Sequence, residues 1–491
     1  MSALNPGGSL LPLEQVVPGA LAMKGLSTSS LIVQRRRCRI VPQTGMNYGS
    51  SGAGAGTRQI NFVINEHNGL LDPASISIAY NIITSGTGND VPDDGHPFVR
   101  FQLNCGGQNL EDTTQSAKNT NVEVKLATSQ TFYTGAGSMY GFELLNGQLG
   151  VGAATATPTA ANQQAYNGCF GDVVGNLAGI ASRTTAATSY PNPYGGEQRV
   201  LPGGLLSGFC RSKQYYPLNL GELNLTLFTG SAAEVCLQNG TTYDADFALA
   251  GLVLEYDVCS VHPAYAALLD KMQNDPAEAG VAIPFESCIT ATAPAVTVGR
   301  AGLSENTITV SRATSNLLRS WIVWQPQGGL ATQAFPSQSC FGKHGTYRIQ
   351  FRVGSSVFPQ VPAEGTASIF AMSMMAYGSP LNETASVINR TLWEQTSLIS
   401  SGSTPSEGSS KFNFGDSFIA CYGYALVKGE AEPMAIDGIN LSSGAGSQLS
   451  ITWSASLPSG AAADATVQPT VGLVAVRVLV AQGGSVRVVG A

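Results

Sequence analysis

One pattern occurs twice, once in each half of this 491-residue chain, and each time it runs into a glycine-containing turn. In Phe98 to Gln108 (FVRFQLNCGGQ) apolar Val99, Phe101 and Leu103 alternate with Arg100, Gln102 and Asn104. In Tyr347 to Pro359 (YRIQFRVGSSVFP) apolar Tyr347, Ile349, Phe351 and Val353 alternate with Arg348, Gln350 and Arg352. Alternation of this kind predicts antiparallel strands with one buried face. Two copies in one chain predict two sandwich units side by side rather than one large sheet. Length agrees, because single cores stop growing at roughly 250–300 residues. The pattern points towards architecture, not catalysis.

Only 12% of the residues are charged, against about 25% in ordinary globular proteins. Interface cores are depleted in charge, so the composition fits a surface that faces other subunits. It fits equally a turn-rich all-β protein with a Ser/Thr/Asn/Gln surface. The opening MSALNPGGSLLPLEQ lacks the basic region, apolar run and cleavage site of a secretory signal, and no stretch has the apolar length of a membrane span. Nine cysteines without a C-x-x-C pair fit buried thiols better than a disulfide framework. A product made and assembled inside a cell is the expectation.

Residues 1–58 hold no long periodic element and are read as an extended arm carrying Arg35, Arg36, Arg37 and Arg39. Strands are expected at Ile60 to Ile64, Ile76 to Ile82, Leu223 to Leu227 and Leu252 to Val258, with Asn-Gly, Asp-Pro and Asp-Gly turns between the early ones. Between 134 and 208 periodicity fades, and a long exposed loop is expected there. HPAYAALLDKMQND sets Tyr265, Leu268, Leu269 and Met272 at helical spacing behind Pro263, predicting a short helix packed between the units. After a linker at 276–304, further strands are expected at Ile308 and Val310, Leu318 to Trp324, Ile369 to Met375, Phe418 to Val427, Leu449 to Trp453 and Val474 to Val480.

Catalytic constellations are missing. His67, His96, His262 and His344 are isolated, with no H-E-x-x-H, and there is no G-x-S-x-G elbow or Walker loop. The glycine-rich stretch 49–56 has no lysine to meet a phosphate and is read as a flexible loop. Asp90, Asp93 and Asp94 offer carboxylates to a calcium ion, but Pro92 and Gly95 favour a solvated turn. No cofactor or metal is expected. The basic patch is Arg35, Arg36, Arg37 and Arg39. With Lys24 these outweigh Glu14 to give residues 1–45 a charge of +4, which leaves −11 on the remainder of a −7 chain. A basic arm on an acidic body suits inter-subunit, nucleic-acid or lipid contact. Four arginines abutting strand-like sequence favour the first.

Several segments together resemble the double jelly-roll major capsid proteins of tailless icosahedral DNA viruses, of the polinton-like virus and virophage type. They are FVRFQLNCGGQNLEDT, LAGLVLEYDVCSVHPAYAALLDKM, SRATSNLLRSWIVWQ, YRIQFRVGSSVFPQVP and FIACYGYALVKGEAEPMAIDGINLSSGAGSQLSITW. The resemblance covers roughly 60–490 and implies an all-β fold of two tandem eight-stranded jelly rolls with short helices in connecting loops. The implied divisions are an arm at 1–58, a first jelly roll at 59–275 with its insertion at 134–208, a linker at 276–304 and a second jelly roll at 305–491. The implied function is structural and non-enzymatic: pseudo-hexameric homotrimers that tile an icosahedral shell around a DNA genome. Implied partners are neighbouring capsomers, penton and minor capsid proteins, with weak inner-face contact of the arm with genome or membrane. The implied location is the virion, assembled in the host cytoplasm or nucleus. A tandem-sandwich surface fibre or glycan-binding protein is the alternative. A carbohydrate-active enzyme is a third reading, and would need paired carboxylates in a cleft.

Overall fold

Where alternation is strict, the apolar face is buried: Ile60, Phe62 and Ile64, then Ile76, Ile78, Tyr80 and Ile82, then Leu223, Leu225 and Leu227 are each at most 3% exposed. The computed structural model describes residues 11–12, 32–45, 48, 58–85, 89–90, 95–128, 140, 197–212, 214–235, 237–238, 246–275, 280–299, 302–312, 314–326, 341–342, 344–377, 418–425, 438–441, 448–457 and 465–490. The glycine-rich stretch 49–56, Asp93, Asp94 and most of the expected loop at 134–208 lie outside these residues, as does the side chain of Asp90.

The first unit contains β1 (Ile32–Ile40), β2 (Gln59–Ile64), β3 (Leu70–Ser85), β4 (Phe98–Cys105), β5 (Gln108–Thr113), helix α1 (Ser116–Ala127), β6 (Glu197–Pro202), β7 (Leu223–Thr229) and β8 (Asp246–Val261). Helix α2 (Pro263–Asn274) follows. The second unit contains β9 (Val281–Thr292), β10 (Ser304–Val310), β11 (Leu317–Pro326), β12 (Thr346–Val353), β13 (Ser356–Glu364), helix α3 (Thr366–Tyr377), β14 (Ile419–Gly423), β15 (Leu449–Ala455) and β16 (Ala465–Gln482). A last strand, β17 (Ser485–Val489), folds back on β16.

Each unit is two antiparallel sheets. In the first the orders are β1-β8-β3-β6 and β2-β7-β4-β5; in the second, β9-β16-β11-β14 and β10-β15-β12-β13. Strand for strand the second unit repeats the first, each with eight strands in the jelly-roll arrangement. The repeat extends to irregularities. Phe98 pairs with Thr229 and Arg100 with Phe228, so Val99 is an extra, bulged residue. Thr346 pairs with Ala455 and Arg348 with Ser454, so Tyr347 is bulged at the matching place. A bulge shifts the alternation by one, which puts Phe98 and Thr346 inside and leaves Tyr347, expected in the core, exposed.

Four segments differ from expectation. Ile369 to Met375, expected as a strand, lies in helix α3; Ala and Met are good helix formers and Ile369 is its only residue branched at Cβ besides Thr366. The helix follows hairpin β12–β13 as α1 follows β4–β5. Ile32–Ile40, within the expected arm, is a strand of the first sheet. Val281–Thr292, within the expected linker, pairs along its whole length with β16. At the end of the expected loop, Glu197–Pro202 pairs with β3.

Two clusters of buried side chains follow the two units, and each borrows from the other. Val122, Val124 and Leu126 of α1 pack into the second core. Ile283, Phe285 and Leu479 of the second unit pack into the first, beside Tyr265, Leu269 and Met272 of α2. The expected helix therefore sits between the units. His262 accepts from the Ala264 N–H at its start, 3.3 Å away, and Pro263 opens the first turn. Among the described residues no helix is long and apolar enough to cross a membrane.

Trp321 of β11 faces Gly472 of β16. A Cβ at 472 would lie 2.0 Å from the buried indole, so Gly472→Ala is expected to destabilise the second unit by about 1–3 kcal/mol through overpacking. An unchanged thermal midpoint would show that the indole has room to move.

Candidate functional site

Two charged constellations stand out in a chain so poor in charge. The first is the arginine strand. On β1 side chains alternate between faces: Cys38 and Ile40 turn towards the first core, while Arg35, Arg37 and Arg39 stand on the outer face. Direct cross-strand neighbours on β8 are Asp257 opposite Arg37 and Glu255 opposite Arg39. Arg35 reaches Asp72 at 2.7 Å and Asp257 at 2.8 Å; Arg37 reaches Glu255 at 3.0 Å and Asp257 at 3.1 Å; Arg39 reaches Glu255 at 3.8 Å. Arg36, on the other side of the strand, pairs with Glu66. The hydrogen bond to Asp257 holds the Arg35 guanidinium pKa above its ordinary value, and that to Glu255 does the same for Arg37. All four expected residues are thus brought together on one edge strand, each beside a carboxylate of the same chain.

The second constellation was not expected. Glu123 of α1, Arg211 after β6, Glu286 of β9 and Arg319 of β11 meet at the junction of the units. Arg319 lies 2.5 Å from Glu286 and 3.9 Å from Glu123; Arg211 lies 2.7 Å from Glu123 and 3.9 Å from Glu286. Burial disfavours the Glu286 charge, but Arg319 and Arg211 outweigh it and hold its carboxyl below the usual range. Beside them Glu111 of β5 is buried and accepts from the Ser207 hydroxyl and from the N–H groups of Gly208 at 3.0 Å and Phe209 at 3.4 Å. Burial pushes its pKa up to about 7 against those bonds and the nearby Arg211 and Arg477. Around this cluster the Thr113 hydroxyl donates to the Cys288 carbonyl at 3.0 Å, Thr114 meets Thr290 at 2.7 Å, and Arg477 donates to the Leu110 carbonyl at 2.7 Å. The arrangement fastens one sandwich to the other.

The histidines are dispersed: His67 is exposed, His262 caps α2, and His96 and His344 are buried, with pKa values lowered by burial to about 3 and about 4. Among the described residues no three His, Cys, Asp or Glu side chains converge on a metal position. Six described cysteines are free thiols.

No protein-family model and no curated protein matches this sequence. Solved structures do. A structure of the Sputnik virophage matches with a TM-score of 0.52 at 12% identity over 94% of this chain and 89% of the other. The Faustovirus major capsid protein matches at 0.51 and 8% identity over 95% and 97%. A PBCV-1 virus capsid model matches at 0.50 and 10% identity over 93% and 97%. With the same strand order in both units and matches that run nearly end to end, the chain has the double jelly-roll fold of these viral capsid structures.

Proposed function

We propose that this chain is the major capsid protein of an icosahedral DNA virus, a structural and non-enzymatic subunit of the virion. The observation that carries the reading is the duplication itself. Two sandwiches of one strand order, locked at a fixed junction, present near-equivalent sides at each step. Three copies about a threefold axis therefore make six-sided tiles, and closed symmetry fixes their contacts. The Faustovirus match supports this use, since that protein is a major capsid protein covered over nearly its whole length. Neighbouring tiles, penton and minor capsid proteins are the partners of such a tile.

Light scattering and negative-stain microscopy of the purified protein test the proposal. Trimers of hexagonal outline, or closed shells, are expected, with obligate interfaces of about 2,000–5,000 Å². A compact monomer at micromolar concentration would overturn it.

A further inference from the structure

One ion pair at the junction of the sandwiches is made with half its bonds. Arg319 grips Glu286 with both ends of its guanidinium, Nη1 to Oε1 at 3.2 Å and Nη2 to Oε2 at 2.5 Å. Arg100 holds Asp112 in the same two-pronged way, through Nε at 2.8 Å and Nη2 at 2.7 Å. Two parallel bonds are a frequent geometry of arginine on a carboxylate. Arg211 departs from it. Its Nη2 meets Glu123 Oε2 at 2.7 Å, while Arg211 Nε and Glu123 Oε1 are buried and have no hydrogen-bond partner among the described residues.

Both residues line a cavity with about 10 Å³ of room for a water-sized sphere, about what a single water molecule requires. Its wall has two further buried polar atoms without a partner among the described residues, Asn119 Oδ1 and Ser287 Oγ, on residues that are each 3% exposed. The other polar side chains of the wall are engaged: Glu111 with the Ser207 hydroxyl and two backbone N–H groups, Thr113 with the Cys288 carbonyl, and Glu286 with Arg319. The fold gathers the four unpaired atoms from three elements. Asn119 and Glu123 stand four residues apart on α1 and so share a face; Arg211 lies after β6 and Ser287 on β9.

The chemistry of these four atoms selects the occupant. Asn119 Oδ1 and Glu123 Oε1 accept, Arg211 Nε–H donates, and the Ser287 hydroxyl does either. A water molecule has two hydrogens and two lone pairs, so it satisfies all four, donating to Asn119 and Glu123 and accepting from Arg211 and Ser287. A metal cation would satisfy the acceptors but confront the Arg211 N–H, and a halide would leave both acceptors unpaired. Net charge favours neither ion, since Glu111, Glu123 and Glu286 are matched by Arg211, Arg319 and Arg477. We infer that the junction holds one resident water molecule, bound by Asn119, Glu123, Arg211 and Ser287, which completes the Arg211–Glu123 fork and ties α1 and the segment after β6 to β9 of the second unit. Buried polar groups left unpaired oppose folding, and a bridging water serves them nearly as well as a direct bond. The Arg211 side chain is 35% exposed, which gives the molecule a route in from solvent.

A structure of the wild-type protein at a resolution that orders solvent tests this. One peak is expected, with at least three of the four atoms at about 2.7–3.2 Å. A peak held by oxygens alone at about 2.3–2.6 Å would be a cation and would overturn the water. So would the absence of a peak, or a direct bond from Arg211 Nε to Glu123 Oε1. In solution, Ser287→Ala and Asn119→Leu each remove one ligand of the molecule, and each is expected to lower the urea midpoint. The double variant is expected to lose less than the sum of the two single losses, because the second substitution removes a bond to a water already loosened. Losses that add would overturn the shared site. Should either variant fail to fold, the solvent peak in the wild type decides alone.

Discussion

Arg319→Met is expected to destabilise the protein by about 3–5 kcal/mol, the usual effect of removing one partner from a buried ion pair. The guanidinium holds Glu286 at 2.5 Å and approaches Glu123 at 3.9 Å, at a site where Arg319 and Glu286 are largely buried. Methionine fills much the same volume, so the effect reads lost charge rather than a cavity. Adding Glu286→Leu is expected to recover most of the loss: Arg211 and Glu123, 2.7 Å apart, remain as a closed pair and no carboxylate is left alone. Equilibrium unfolding in urea of the single and double variants measures both steps. A double variant no more stable than the single one would mean that the arginine acts through its aliphatic stem or its stacking over Tyr377, 4.6 Å from the ring centroid, and not through Glu286.

That cluster also shows where a sequence stops being legible. Strands such as Ile60–Ile64 and Leu223–Leu227 announce themselves because each lies on a sandwich with one face in and one face out, so period two survives in the residue types. Val281–Thr292 does not. Phe285 and Ile283 point into the first core while Cys288 points into the second; with both faces covered the alternation is lost, and Pro284, Glu286 and Ser287 read as linker. Strand β1 is hidden for the opposite reason, since its outward face carries arginine where a half-buried strand would leave a mixture. Helix α3 reads as a strand because it is apolar all round, and a short apolar run has no period to decide between the two. The ion cluster is assembled from α1, the segment after β6, β9 and β11. No spacing in sequence joins these. A signal was nevertheless present: Arg319 inside LLRSWIVW and Glu286 inside AIPFESCI are charges within apolar strands, conflicts that a fold resolves only by pairing them.

Glu111→Gln is expected to make the protein more stable at pH 8 and to leave it unchanged at pH 4. Burial raises the Glu111 carboxyl from near 4.5 to about 7, so the folded state binds this proton more tightly than the unfolded state does. The stabilisation is complete below pH 4.5 and is lost as pH rises through 7. Between those limits the loss amounts to about 3 kcal/mol, at about 1.4 kcal/mol for each pH unit. Glutamine keeps an oxygen for the Gly208 and Phe209 N–H groups and presents an amide N–H to the Ser207 oxygen, so the geometry survives while the titration disappears. Because Ser207 and Gly208 lie between β6 and Arg211, the carboxyl sits under the segment that carries one arm of the junction. Its ionisation at alkaline pH therefore loads the contact between the sandwiches rather than either core. Thermal unfolding of both proteins from pH 4 to pH 8 checks this: the two curves are expected to diverge between pH 4.5 and pH 7 and to run parallel above that, with the variant higher. Curves that run parallel over the whole range would show that Arg211 and Arg477 keep the carboxylate ionised, and would remove the junction from any account of pH-dependent stability.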